Sequence, residues 1–108
     1  MREKPNKYPV QLTVNGNQIS SILIGRHYLK KHAAYMDDAL ILQLVSQLDG
    51  KHFKVDSSTD EIEYYVADVE MSGAKTYRLI WLFEGSRLEV LGVINAYRRK
   101  KRKSDEKI

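Results

Sequence analysis

The sequence predicts an α+β domain: an N-terminal β-hairpin, then two helices packed on one face of a three- to four-stranded antiparallel sheet. Three observations carry this prediction. Asn15-Gly16 lies between two β-prone runs. Leu40, Leu44 and Leu48 recur every four residues, with Ile41 and Val45 beside them. After Gly50 the apolar spacing changes from helical to alternating.

Each element has its own local reason. An Asn-Gly pair tolerates positive φ at both positions, so it predicts a tight hairpin with arms Val10–Val14 and Gln18–Ile24. Arg26 to Tyr35 reads as a short helix with Tyr28, His32, Tyr35 and Met36 on one face. Asp37 to Leu48 is the clearest helix. Asp37 or Asp38 can accept its free N–H groups, and Asp49-Gly50 supplies the stop. Lys51–Val55 is expected as a short edge strand and Asp56–Asp60 as a polar turn. Strands Glu61–Met71, Thr76–Glu84 and Arg87–Tyr97 then follow, separated by Ser72-Gly73-Ala74 and Gly85-Ser86. Short connections imply an antiparallel meander.

The turns set the register. A two-residue loop at Gly85-Ser86 puts Arg78 opposite Val93, Ile80 opposite Leu91 and Leu82 opposite Glu89. Asn95 is then a diagonal neighbour of Arg78, and Tyr97 lies near the end of the strand. The opposite face carries Tyr77, Leu79, Trp81, Phe83, Leu88, Val90 and Ile94, and is assigned to the helices. The preceding turn leaves two registers open. An even-numbered loop puts Tyr65 and Val69 on the Arg78 face. A three-residue loop puts Asp68 opposite Arg78, as an ordinary cross-strand ion pair.

Composition bounds the function. The 108 residues fit one domain, taken as residues 1–97 with a basic tail at 98–108. An apolar content of 43% excludes general disorder. With no Cys there is no disulfide, thiolate metal site or cysteine nucleophile. Met1 to Pro9 is polar, so no signal peptide is expected, and no apolar run approaches a membrane span. A cytoplasmic location and no membrane partner are expected. The formal charge is +4, yet Arg98, Arg99, Lys100, Lys101, Arg102 and Lys103 are six consecutive cations, so the remainder carries −2, that is +4 less 6. Such a run attracts a polyanion through counterion release, although a solvated tail has the same composition.

Chemistry-bearing residues are few. His27 and Lys31 are spaced i, i+4, but a third ligand at fixed spacing is missing, so neither metal nor other cofactor is expected. His32 shares a face with Tyr28, Tyr35 and Met36 and reads as a satisfied core histidine. His27, beside Arg26, Lys30 and Lys31, suits phosphate binding and proton transfer better. There is no phosphate-binding glycine loop. Internal RNA cleavage needs only a base for the 2′-OH, an acid for the leaving oxygen, and cations for the developing charge. Arg78, Tyr97, Arg98 and Arg99, with His27 or Lys31, are residues of those types.

The stretch Tyr77-Arg78-Leu79-Ile80-Trp81, followed by Arg87–Lys101 and ending Asn95-Ala96-Tyr97-Arg98-Arg99-Lys100, resembles the C-terminal half of the RelE/HigB/ParE toxin superfamily. The resemblance covers about a third of the chain by motif. It implies metal-independent mRNA cleavage, with Arg78 on the middle strand and Tyr97, Arg98 and Arg99 at the end of the last. By residue type, and not by the resemblance, His27 is a further candidate acid or base. Lys30, Lys31, Arg99, Lys100, Lys101, Arg102 and Lys103 would hold nucleic acid. RNA or the ribosome and an antitoxin protein are the implied partners. The chain departs from that pattern in its N-terminal hairpin, in the acidic Asp56, Asp60, Glu61 and Glu63, and in the His27/His32 segment. The alternative is a non-catalytic module that binds nucleic acid or protein.

Overall fold

A computed structural model of the chain describes residues 5–25, 32, 34–71 and 75–99. The described residues form six strands and one helix: β1 (Asn6–Val14), β2 (Asn17–Ile24), α1 (Asp38–Ser46), β3 (Ser57–Thr59), β4 (Ile62–Met71), β5 (Lys75–Glu84) and β6 (Val90–Arg99). The strands make a single sheet in the order β1-β2-β6-β5-β4-β3. Neighbours are antiparallel except β2 and β6, which run parallel from Ser21↔Val90 to Ile24↔Val93.

The predicted architecture is therefore corrected. The sheet has six strands and is mixed, where three or four antiparallel strands were expected. The hairpin at Asn15-Gly16 forms as anticipated, with φ of 56° and 78° at the two turn residues. It does not stand apart, because its second arm is completed by β6. Ile22 and Ile24 are almost fully buried, and parallel pairing with β6 aligns them with Leu91 and Val93. Asn15 adds a second tie. Its side chain accepts the Phe53 N–H (2.7 Å) and donates to the Phe53 carbonyl (2.9 Å), fastening the chain after the helix to the hairpin turn.

One helix, rather than two, lies among the described residues. Asp37 caps it, accepting the Leu40 N–H at 2.8 Å. Ile41, Leu44, Val45 and, just beyond the helix, Leu48 are buried. Burying a side chain of that size contributes roughly 1.5–3 kcal/mol. Most of the predicted first helix, Arg26 to Tyr35, falls outside the described residues. Its described end is not helical: Tyr35 and Met36 both donate to the His32 carbonyl, closing one turn (3.2 and 2.9 Å). Met36 is used as a core plug, 2% exposed. Among the described residues no helix is long and apolar enough to cross a membrane.

Two further elements moved. Lys51–Val55 is no strand; Lys51 makes only an isolated bridge to Val14. The edge strand β3 lies instead within the expected turn, joined to β4 through Asp60 and Glu61, both at positive φ (54° and 66°). The loop between β5 and β6 spans Gly85–Glu89, five residues rather than two, because Glu84 pairs with Val90. It is held internally: Leu88 donates to the Gly85 carbonyl (3.1 Å), and the Glu89 carboxylate accepts the Arg87 N–H (2.9 Å). Leu88, read as a strand residue on the helix face, sits at φ 55° and is 44% exposed.

The longer loop shifts the register, and a bulge shifts it again. Trp81 pairs with Val93 and Ile80 with Asn95, which leaves Ile94 without a partner opposite. Leu91, Val93 and Ala96 consequently point into the core, while Ile94 is 39% exposed. Trp81 is fully buried at the centre, stacked on Tyr65 (centroids 5.7 Å) and met edge-on by Phe53 (5.1 Å).

Candidate functional site

The register that places Ala96 in the core turns its neighbours outward. Arg78 pairs with Tyr97 on one side and with Asp68 on the other, so a row Asp68–Arg78–Tyr97 crosses three strands on the sheet face opposite α1. Met71 pairs with Lys75, which makes the β4–β5 connection three residues long; of the two registers open from sequence, this is the one that opposes Asp68 and Arg78.

Asp68 holds two arginines. Its Oδ1 accepts Arg78 Nε at 2.9 Å and its Oδ2 accepts Arg78 Nη2 at 3.2 Å. The same Oδ2 accepts Arg99 Nη1 at 2.7 Å. All three side chains remain about one-third exposed. The Arg78 hydrogen bond, followed by that of Arg99, holds the Asp68 carboxyl below the usual carboxylate range, against the opposing effect of partial burial. The same carboxylate, with a smaller contribution from Tyr97, holds the Arg78 guanidinium above its ordinary value.

An aromatic group closes the other side. His32 stacks on Tyr97, centroids 5.4 Å apart at 26°. His32 Nδ1 and the Tyr35 hydroxyl share a hydrogen bond of 3.0 Å. The Tyr35 hydroxyl also accepts the Arg98 backbone N–H (3.1 Å), and the Arg98 guanidinium lies 4.8 Å above the Tyr35 ring. The position is set by strand lengths: β2 pairs with β6 only as far as Val93, so His32 and Tyr35 meet β6 beyond the end of that pairing.

The structure thus brings Arg78, Tyr97 and Arg99 of the predicted set together on one face, while Arg98 alternates to the other face and lies over the Tyr35 ring. Arg98 and Arg99 are part of β6, and the next four residues in the sequence are Lys100, Lys101, Arg102 and Lys103. His27, Lys30, Lys31 and Lys100 to Lys103 lie outside the described residues. Three site residues were not singled out as functional from sequence: His32, assigned to the core; Tyr35; and Asp68, considered only as a pairing partner. The signal that could have found them was the i, i+3 spacing of His32 and Tyr35, which one turn converts into a hydrogen bond.

Chemically, the group sets two guanidiniums against one carboxylate, while a third guanidinium, that of Arg98, and the His32 imidazole lie against aromatic rings alongside. An imidazole exchanges protons near neutral pH, and guanidiniums bind phosphate oxygens through a planar fork. Among the described residues no group of three or more His, Asp or Glu side chains is arranged to hold a metal ion. A cleft of about 260 Å³ between the end of α1 and β4, lined by Leu48, Phe53 and Val69 among others, also reaches Asp68. Comparison with known proteins adds no relative: the chain matches no family model, no curated protein and no solved structure.

Proposed function

We propose that this chain is a RelE/HigB-like toxin, or a toxin-derived relative, that cleaves RNA in the cytoplasm without a metal ion. The observation that carries the reading is the stacking of His32 on Tyr97 beside Arg78 and Arg99, at the root of six consecutive cations. In this reading the 2′-oxygen attacks the adjacent phosphorus as a base removes its proton. The 5′-oxygen leaves with a proton from an acid, and a 2′,3′-cyclic phosphate remains. His32 is the group suited to proton transfer, with Tyr35 fixing its ring through Nδ1. Arg78 and Arg99 offset the charge that grows on the phosphorus oxygens. Lys100 to Lys103 supply a sequence-independent hold on the strand. An antitoxin protein and the ribosome are the partners that go with this activity.

A second reading is favoured by one contact. The bidentate Arg78–Asp68 pair commits Arg78 to the sheet, as in a non-catalytic binding module. Incubating the protein with single-stranded RNA, with and without ribosomes and in the presence of EDTA, separates the two. The enzyme reading expects fragments ending in cyclic phosphate. A binding module gives a shifted but intact RNA. In both, deleting Lys100 to Lys103 should flatten the dependence of log Kd on log salt by about 0.7 for each phosphate that the tail no longer neutralises. A truncated protein with an unchanged slope would remove the tail from the interface.

A further inference from the structure

Two guanidiniums share one carboxylate on the sheet face opposite α1. A strand pair needs only one arginine to neutralise Asp68, and Arg78 already does so with two parallel hydrogen bonds. Arg99 nonetheless reaches across from β6 to the same Oδ2. Like charges brought that close repel unless an anion lies between them. Without Asp68, Arg78 and Arg99 together make an anion site open to solvent, since each is about one-third exposed.

A carboxylate and a phosphodiester present the same feature to a guanidinium: two oxygens sharing one negative charge, matched to the planar fork. We propose that Asp68 is an internal stand-in for the phosphodiester, occupying the Arg78–Arg99 subsite until a polynucleotide displaces it. This rests on reading the cluster as an RNA site. Exchange of one monoanion for another changes the charge balance little, and Asp68 has the advantage of being tethered. A free phosphate ion therefore does not displace it. A polynucleotide does, because contacts at the His32–Tyr97 stack add to the exchange. The device selects chains over mononucleotides and keeps two arginines from attracting small anions.

The test compares wild type with Asp68→Asn, which keeps the shape and removes the charge, and with Asp68→Thr, a residue that suits a strand. Arg78 and Arg99 Nε–H signals are followed by NMR during titration with inorganic phosphate. Fluorescence anisotropy with a labelled oligouridylate gives Kd over a salt series, and thermal melts report folding. Wild type should show no response of these signals to phosphate, whereas both variants should respond. Both variants should also bind oligouridylate roughly two- to fivefold more tightly, the value of one exposed charge contact. Equal or weaker oligouridylate binding by folded variants overturns the proposal and leaves Asp68 as a strut. Failure of both variants to fold does the same. Loss of oligouridylate binding in all three proteins at low salt would instead remove the RNA reading itself, and this proposal with it.

Discussion

Replacing His32 by alanine should lower RNA cleavage by about 10²–10⁴-fold, the usual contribution of a positioned acid or base. The cost to stability should be small by comparison. His32 is half-buried, and among the described residues its ring meets those of Tyr97 and Tyr35 and makes one hydrogen bond, so removal costs about 1 kcal/mol. Cleavage rates and thermal melts on the same preparations check both halves of this expectation. A structural histidine behaves differently: activity would fall only as far as the folded fraction falls. Tyr35→Phe sharpens the comparison. It removes the hydroxyl that meets Nδ1 while keeping the ring under Arg98. A positioning role predicts a displaced pH profile for cleavage in Tyr35→Phe, and loss of the pH-dependent limb in His32→Ala.

The largest effect on stability is expected at Trp81. It is the only tryptophan, is fully buried, and is packed against Phe53 and Tyr65. Trp81→Ala should cost about 3–5 kcal/mol, through the ring packing it removes and the cavity it leaves behind. That is a large share of the roughly 5–15 kcal/mol typical of a domain. Trp81→Phe should cost much less. Among the described residues the buried indole Nε1 has no hydrogen-bond partner, so the substitution removes an unsatisfied donor along with part of the ring. Urea unfolding followed by circular dichroism measures both, since the tryptophan fluorophore is gone from each variant. Equal destabilisation by the two variants would contradict this view of the core.

Local signals in the sequence were reliable where chemistry and geometry coincide at one or two residues. Asn15-Gly16 specified its turn because both positions need positive φ. Asp37 specified the start of α1 because a short carboxylate there meets the free N–H groups. The same logic failed at Asp60-Glu61, where a tight turn uses a glutamate at φ 66°, a residue type with no preference for that region. It failed again at Arg87–Glu89. Those residues alternate like a strand but serve as a loop held by Glu89. Parallel pairing of β2 with β6 joins segments some seventy residues apart, and neither segment carries a local mark of it.

The candidate site was partly legible for the same reason. Arg78 and Tyr97 were placed on one face by alternation, although the register bringing them opposite each other depends on the loop length and on the bulge at Ile94. Asp68 was placed opposite Arg78 by only one of two possible turns. His32 followed a helical reading that the structure does not support at His32–Tyr35. A single turn there lets the ring reach Tyr97 instead of entering the core.

If the protein acts on RNA as proposed, RNA meets it at the end of β6. Mapping amide and side-chain NMR shifts during titration with a single-stranded oligoribonucleotide tests this most directly. The largest changes should fall at His32, Tyr35, Asp68, Arg78, Tyr97, Arg98 and Arg99, with little at the Asn15-Gly16 turn or along α1. Changes centred on the hairpin or the helix, with His32, Arg78 and Tyr97 unmoved, would contradict it.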